Sequence, residues 1–389
     1  MTALATSRPE ADGSGMELPF QPLFTIRRGG RIEVTVYGIV SVVAGIAGEV
    51  KDTRAGCDQY IQSIYTPLIA TGDTNFELWS RSLLKPWQLL TNYQILKDNY
   101  PALGDEHFAL MMASHSGEPV HMQALEEILA ITGVDEGCLK CPPASPFDSK
   151  TKEAMKELGE KDQRRFHNCS GKHAGFLAAV KATQGPDKMK DYLADSEPHH
   201  TRLKGILSTL CGRSPETFVH TTDGCQLANY AISPAELSYL YMTLLNPDLL
   251  PASARNSKIF APYSEIGQLM HKFPRLVSGL GRLDYNIMSA ELFGAGPSMV
   301  AKEGADGLLG IGVAPCPSYP GGLGIAIKLA SGHDSNHTEL IARQILTTLG
   351  LTTKKKSPSN SDACPESAPV RTDHIKTEFH FLKSLLKTQ

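Results

Sequence analysis

The sequence lacks an excess of either charge, a long apolar run and a dense set of cysteines, and each absence removes a class of protein. Its 38 Lys and Arg against 41 Asp and Glu leave a formal net charge of −3, so no nucleic-acid or anionic-membrane surface is expected. No stretch approaches 18 consecutive apolar residues, which excludes a membrane-spanning helix. The start, MTALATSRPEADGSG, has no basic stretch leading into an apolar one, so no secretory signal is read and a cytoplasmic location is expected. Cys57, Cys138, Cys141, Cys169, Cys211, Cys225, Cys316 and Cys364 are spread thinly over 389 residues. They are no disulfide framework, and in a reducing compartment paired cysteines point to metal or redox chemistry. There is no HExxH, and "GLLGIG" and "GPSMVAKEG" lack the strand–loop–helix setting of a phosphate site, so no nucleotide site is expected.

What is present suffices for a full core: 41% hydrophobic and 20% charged residues, in a chain long enough for one large domain or two ordinary ones. Residues 1–18 read as a flexible arm. Phe24 and Ile26, a Gly29-Gly30 turn and alternating Ile32, Val34 and Val36 predict a hairpin, with Ile39 to Val43 as another strand or its extension. Residues 51–75 give no clear periodicity. "SRSLLKPWQLL" reads as a helix, Pro119 opens another that Gly133 stops, and Ser233, Pro234 and Glu236 mark a capped helix start. Two strands joined by a Pro/Gly-rich turn and a helix over about 336–349 follow. Residues 352–374 are poor in apolar residues and read as disordered, and 375–389 form a tail. This order predicts an α+β fold in which N- and C-terminal strands share one antiparallel sheet flanked by helices and the middle forms a helical lobe.

Three stations carry candidate acyl-transfer chemistry. Pro86 is tolerated only in a first helical turn, so it puts Ser82 and Lys85 at a helix start. Three residues apart, they share a face, and the local field together with burial disfavours the ammonium of Lys85. A neutral lysine beside a serine hydroxyl is a workable general base. The pattern SxxK also fits a plain helix cap with a solvated lysine. Ser114, on the turn "SHSGE", supplies a second hydroxyl, or is merely a turn former. Lys302, in "AKEGADG" on a strand, supplies a second lysine, or is merely an edge charge. The three together and in this order are what Ser–Lys acyl-transfer enzymes require.

A second group is sulfur-rich. Cys169, Lys172 and His173 sit in the helix-start loop "NCSGKH", and Cys225 in the turn "TDGC". Two thiolates with a nearby His or Asp would suit zinc, although buried free cysteines are also ordinary core residues. Cys138-x-x-Cys141 has metal-like spacing but no second pair, which favours coincidence.

The stations "RGGRIE", "SRSLLKPWQ", "ASHSGE", "NCSGKHAGFL", "TDGCQLANYAIS" and "KEGADG" follow one another between about residues 25 and 350. In these the chain resembles the rhizobial-type, or class 3, L-asparaginase family. The resemblance implies a serine β-lactamase-like fold over residues 19–351 and hydrolysis of L-asparagine to L-aspartate and ammonia. It implies two facing Ser–Lys pairs, Ser82 with Lys85 and Ser114 with Lys302. It also implies a zinc site of Cys169, Lys172 and Cys225 that holds the α-amino and carboxylate end of the substrate, with His173 and Asp223 behind it, and a homodimer. The stretch 51–75 and the C-terminal tail depart from the pattern. Two other readings stay open: a β-lactamase- or peptidase-like serine hydrolase on the same fold, and a non-catalytic zinc-binding protein. Asparagine versus glutamine preference also stays open, since one methylene gives only about 1–3 kcal/mol of discrimination.

Overall fold

The expected hairpin at Gly29-Gly30 joins β1 (Gln21–Arg28) to β2 (Arg31–Gly45), and the run Ile39 to Val43 proves to be the continuation of β2. The computed structural model describes residues 18–46, 64–290, 293–294, 296–352 and 375–385. The expected arm (all but Leu18), the expected disordered stretch (all but Thr352) and half of the region without periodicity therefore lie outside the described residues. That region also holds a strand, β3 (Tyr65–Thr71), whose burial alternates too weakly for its sequence to show a period.

A small sheet of β4 (Leu78–Trp79), β5 (His220–Thr222) and β6 (Ala228–Ile232) lies in the middle of the chain. The main sheet is completed by β7 (Met299–Gly304), β8 (Leu308–Val313), β9 (Leu323–Leu329) and β10 (Ile375–Phe379). Its order is β10-β1-β2-β9-β8-β7, with β3 also on β2, and every pairing is antiparallel. N- and C-terminal strands thus share one sheet, as expected, in an α+β arrangement. The tail adds an edge strand by pairing Phe24 with Phe379 and Arg28 with Ile375.

The middle of the chain is helical: α1 (Lys85–Leu90), α2 (Asp105–Met111), α3 (Pro119–Thr132), α4 (Ser170–Gln184), α5 (Pro198–Cys211) and α6 (Pro234–Leu245). Short α7 (Leu283–Met288) precedes β7, and α8 (Ser335–Thr348) follows β9. The start of α6 is the capping box read from sequence, with the Ser233 side chain accepting from the Glu236 N–H. This helix lies directly on β8 and β9. The approach needs Gly324, because a Cβ there would sit 1.7 Å from the Ser238 carbonyl oxygen. Gly310 and Gly312 of "GLLGIG" likewise serve close packing, since a Cβ on them would lie 2.5 Å and 2.2 Å, respectively, from Tyr241 of the same helix.

Helix α5 places His199 and His200 in the interior, 3% and 6% exposed. His199 packs on Phe176, and His200 Nδ1 shares a hydrogen bond with the Tyr230 hydroxyl at 3.1 Å. Burial lowers both pKa values, that of His200 to about 4. Above about pH 6.5 both states of the chain carry neutral imidazoles and nothing is lost. As pH falls from there towards 4 the unfolded chain binds protons that the folded His200 refuses, so stability drops. Urea melts should show a loss of about 1–3 kcal/mol between pH 7.5 and 4.5 from this ring. His200→Asn should be less stable at pH 7.5 and show a flatter pH dependence; an unchanged slope would show that the ring is not the source.

Candidate active site

The Ser82 station is a helical turn in two parts. Arg81–Leu84 is a 3-10 turn, and α1 continues it with Lys85 first and Pro86 second. The fold anchors it from below. Trp87 is fully buried, donates from Nε1 to the Tyr263 hydroxyl at 3.0 Å and packs edge-on against Tyr241. Tyr241 Oη in turn donates to the Leu83 carbonyl at 2.8 Å, which ties α6 to the Ser82 turn. Arg81 has φ of 50°, a left-handed conformation unusual for this residue. Its backbone N–H donates to Asn229 Oδ1 at 2.9 Å and its guanidinium pairs with Asp223 and Asp306.

Ser114 begins the turn after α2. Its N–H donates to the Val277 carbonyl, and that of Ser116 to the Ser278 carbonyl, so the segment is held like a short strand. Lys85 Nζ reaches this turn, donating to Ser114 Oγ at 2.8 Å and to the Ala113 carbonyl at 2.5 Å. Burial lowers the Lys85 pKa to about 8, with Lys172 and Lys302 pushing the same way and Cys169 opposing.

The two lysines thus take hydrogen-bond partners other than those of the expected pairs. Lys85, expected on Ser82, hydrogen-bonds to Ser114. Lys302, expected on Ser114, donates to Asp284 Oδ2 at 3.1 Å. Lys302 and Asp284 are both 0% exposed, and an ammonium so buried takes the nearest carboxylate over a neutral hydroxyl. Asp284 is well supplied with donors: the Ser278 hydroxyl, the Tyr285 N–H and the Glu303 N–H also bond to it. Burial opposes its charge, but Lys302 and Arg282 hold its pKa below the usual carboxylate range. Asp284 and Arg282 belong to no motif and were missed; the available signal was that a lysine on a buried strand demands an acid.

Ser82 and Ser114 both line a cavity of about 690 Å³. Cys169, Asp223, Cys225, Arg282 and Glu303 line the same cavity. Cys169 stands just before α4, and Lys172 and His173 lie in that helix's first turn. Gly171 lets the turn come close, since a Cβ there would lie 2.5 Å from the Leu110 carbonyl oxygen. Lys172 Nζ donates to Cys225 Sγ at 3.2 Å, and the Cys225 thiol hydrogen-bonds to Cys169. That bond from Cys225, with Lys85 and Lys172 nearby, lowers the Cys169 pKa against the effect of burial. His173 stands behind, sharing a hydrogen bond with Tyr192 at 2.6 Å, and Asp223 Oδ1 accepts from Arg81 Nε at 2.9 Å. Among the described residues no three His, Cys, Asp or Glu side chains group to hold a metal. The sulfur site reaches three donors only through Lys172. Cys138 and Cys141 are free thiols, and Cys141 Sγ donates to the Arg164 carbonyl.

A profile of the L-asparaginase II family matches residues 61–373. The chain belongs to this family. Membership makes it an amidohydrolase for a small amino-acid substrate. No curated protein sequence matches the chain. It is similar to the solved structure of a probable glutaminase from Bacillus subtilis complexed with 6-diazo-5-oxo-L-norleucine, at 12% identity over 82% of this chain and 86% of that one, with a TM-score of 0.36. It is similar to carbapenemase VCC-1 from Vibrio cholerae, at 12% identity over 80% and 94%, with a TM-score of 0.32. For FmtA from Staphylococcus aureus the figures are 12%, 87% and 88%, and 0.32. Among the described residues of this amidohydrolase, no helix is long and apolar enough to cross a membrane.

The Lys302–Asp284 pair can be tested directly. Asp284→Asn should lower stability by about 3–5 kcal/mol, because it leaves a buried ammonium against a neutral amide. The double variant Asp284→Asn/Lys302→Met should recover part of that loss in denaturant melts. Additive losses would mean that the two groups do not interact.

Proposed function

We propose that this amidohydrolase converts L-asparagine to L-aspartate and ammonia through an acyl-enzyme. The observation that carries the reading is the contact of buried Lys85 with the Ser114 hydroxyl at 2.8 Å, on the wall of a cavity that Ser82 also lines. With a pKa near 8, Lys85 supplies a useful fraction of free amine at neutral pH. Ser82 attacks the side-chain amide carbon, Ser114 passes its proton to Lys85, and the protonated lysine returns a proton to the leaving ammonia. Water then enters by the same relay and frees aspartate. Backbone N–H groups around Ser82 are the candidates for stabilising the oxyanion. Lys302, kept charged by Asp284, acts in this scheme as a fixed cation rather than as a base.

Cys169, Lys172 and Cys225 fit zinc by the chemistry of the donor set: two buried sulfurs, one with a lowered pKa, facing an amine. In the free site Lys172 is an ammonium, since the two thiols and Asp223 outweigh the effect of burial; metal binding would displace its proton. When bound, zinc would supply a Lewis-acidic anchor for the substrate carboxylate. A homodimer, resting on the family pattern, and a cytoplasmic location, resting on the thinly spread free cysteines, are part of the same proposal.

An ammonia-release assay on asparagine and glutamine tests the activity. Turnover of asparagine is expected, and hydrolysis of glutamine alone would move the substrate by one methylene. Lys85→Arg keeps the charge but cannot act as a base, and should reduce kcat by about 100-fold or more. Near-wild-type turnover would remove Lys85 from the mechanism. Mass spectrometry after rapid quenching should find the acyl group on Ser82; an adduct on Ser114 would reverse the two serines' roles.

For the metal, elemental analysis should find zinc, and a chelator should remove it more easily in acid, where thiolates take up protons. Cys169→Ser or Cys225→Ser should lower zinc content and raise KM more than it lowers kcat. Full activity of zinc-free protein in strong chelator would rule the metal out.

A further inference from the structure

We propose that Glu303, held by Arg282 at the cavity wall, binds the substrate's α-ammonium group and makes the site selective for amides of α-amino acids. This rests on the amidohydrolase reading above. Asparagine is short: its α-nitrogen lies only two carbons from the amide carbon that must meet the serines. Whatever binds the ammonium therefore has to sit next to the Ser82 and Ser114 stations, not out on the rim.

Glu303 meets that condition. It follows Lys302 on β7, lines the cavity and has a side chain only 11% exposed. Arg282 pairs with its Oε2 at 3.2 Å and also donates to the Ser114 carbonyl, so one guanidinium spans from the carboxylate to the serine turn. The other acids of the cavity are less suited. Asp306 is 61% exposed, where solvent weakens any pairing. Asp223 is engaged through both oxygens, Oδ1 by Arg81 at 2.9 Å and the Gly224 N–H at 2.8 Å, and Oδ2 by the Cys225 thiol at 4.0 Å. Glu339 pairs with Arg343 along α8. Burial and the like charge of Asp284 push the Glu303 pKa up to about 7. An arriving ammonium offsets both effects, so the acid gains more from this ligand than a solvated carboxylate would.

Succinamate is asparagine without its α-amino group, and it separates this role from catalysis. Wild-type protein should show a higher kcat/KM for L-asparagine than for succinamate. Glu303→Gln should lower kcat/KM for L-asparagine about 10- to 100-fold, mainly through KM, and change that for succinamate less than about threefold. Glu303→Asp, which keeps the charge but shortens the arm, should fall between. Equal losses on both substrates would mean that Glu303 only supports Arg282 and the Ser114 turn, and would overturn the proposal, as would no loss on asparagine. If wild-type protein hydrolyses neither compound, the activity reading fails, and calorimetry still tests Glu303. Wild type should bind L-aspartate more tightly than succinate, and Glu303→Gln should lose that preference; equal binding of both by wild type would sink the inference.

Discussion

Two lysines, Lys85 and Lys302, are buried within one site at 1% and 0% exposure, and the cost of removing an ammonium from water governs the rest of the arrangement. There are two ways to meet such a cost: shed the proton, or take a carboxylate into the interior as well. Burial lowers the pKa of both lysines, and each meets it with different partners. For Lys302, Asp284, itself held by two backbone N–H groups and a hydroxyl, opposes that fall. Lys85 donates to the Ser114 hydroxyl and the Ala113 carbonyl, with Cys169 also in reach, and burial outweighs these partners, so its pKa drops to about 8. Lys172 and Lys302 both push the Lys85 pKa further down. Two buried lysines thus stand in different surroundings, one against a hydroxyl and the other against a carboxylate.

The scaffold explains why these groups can be held so deep. β7 is the edge strand that carries Lys302 and Glu303, and a Cβ on its Gly304 would collide with the Leu83 side chain at 2.6 Å. The sheet edge therefore presses against the Ser82 turn. On the other side, α6 lies on β8 and β9 and sends the Tyr241 hydroxyl to the Leu83 carbonyl. The turn is clamped between an edge strand and a sheet-packed helix, both of which draw their rigidity from the hydrophobic core.

Local signals were legible in the sequence and long-range pairings were not. Proline placement, the Ser233–Glu236 box and the Gly29-Gly30 turn each act within a few residues, and each predicted its element. The stations around Ser82, Ser114, Cys169 and Cys225 were legible too, and the fold does bring all four onto one cavity. The partners of the lysines were not legible, because a Ser–Lys spacing constrains only the backbone; a long flexible side chain then goes wherever charge compensation is best. Asp284 sits 18 residues before Lys302 in "GRLDYNI", with no pattern to mark it. β3 and β10 were missed for a related reason. Both are largely exposed strands whose alternation is weak, so the hydrophobic period that identifies a strand is faint.

Arg81 joins the hydroxyl and sulfur halves of the site, and its backbone shows the cost. Three non-glycine residues near the cavity have positive φ: Arg81 at 50°, Gln226 at 74° and Asp306 at 61°. Asp306 is unexceptional, since aspartate tolerates this region in a tight turn next to Gly307. Arginine has no such tolerance, so the conformation costs about 1–3 kcal/mol and has to be imposed by the surroundings. The contacts that impose it are identifiable. Asn229 takes the Arg81 N–H, while Asp223 from the "TDGC" turn and Asp306 from the β7–β8 turn take the guanidinium. Those contacts fix the direction in which the next residue, Ser82, leaves the strained turn. They also fix Asp223, two residues before Cys225. A shift of the sulfur loop is therefore transmitted through one side chain to the serine, which couples the position of Cys225 to the direction of Ser82.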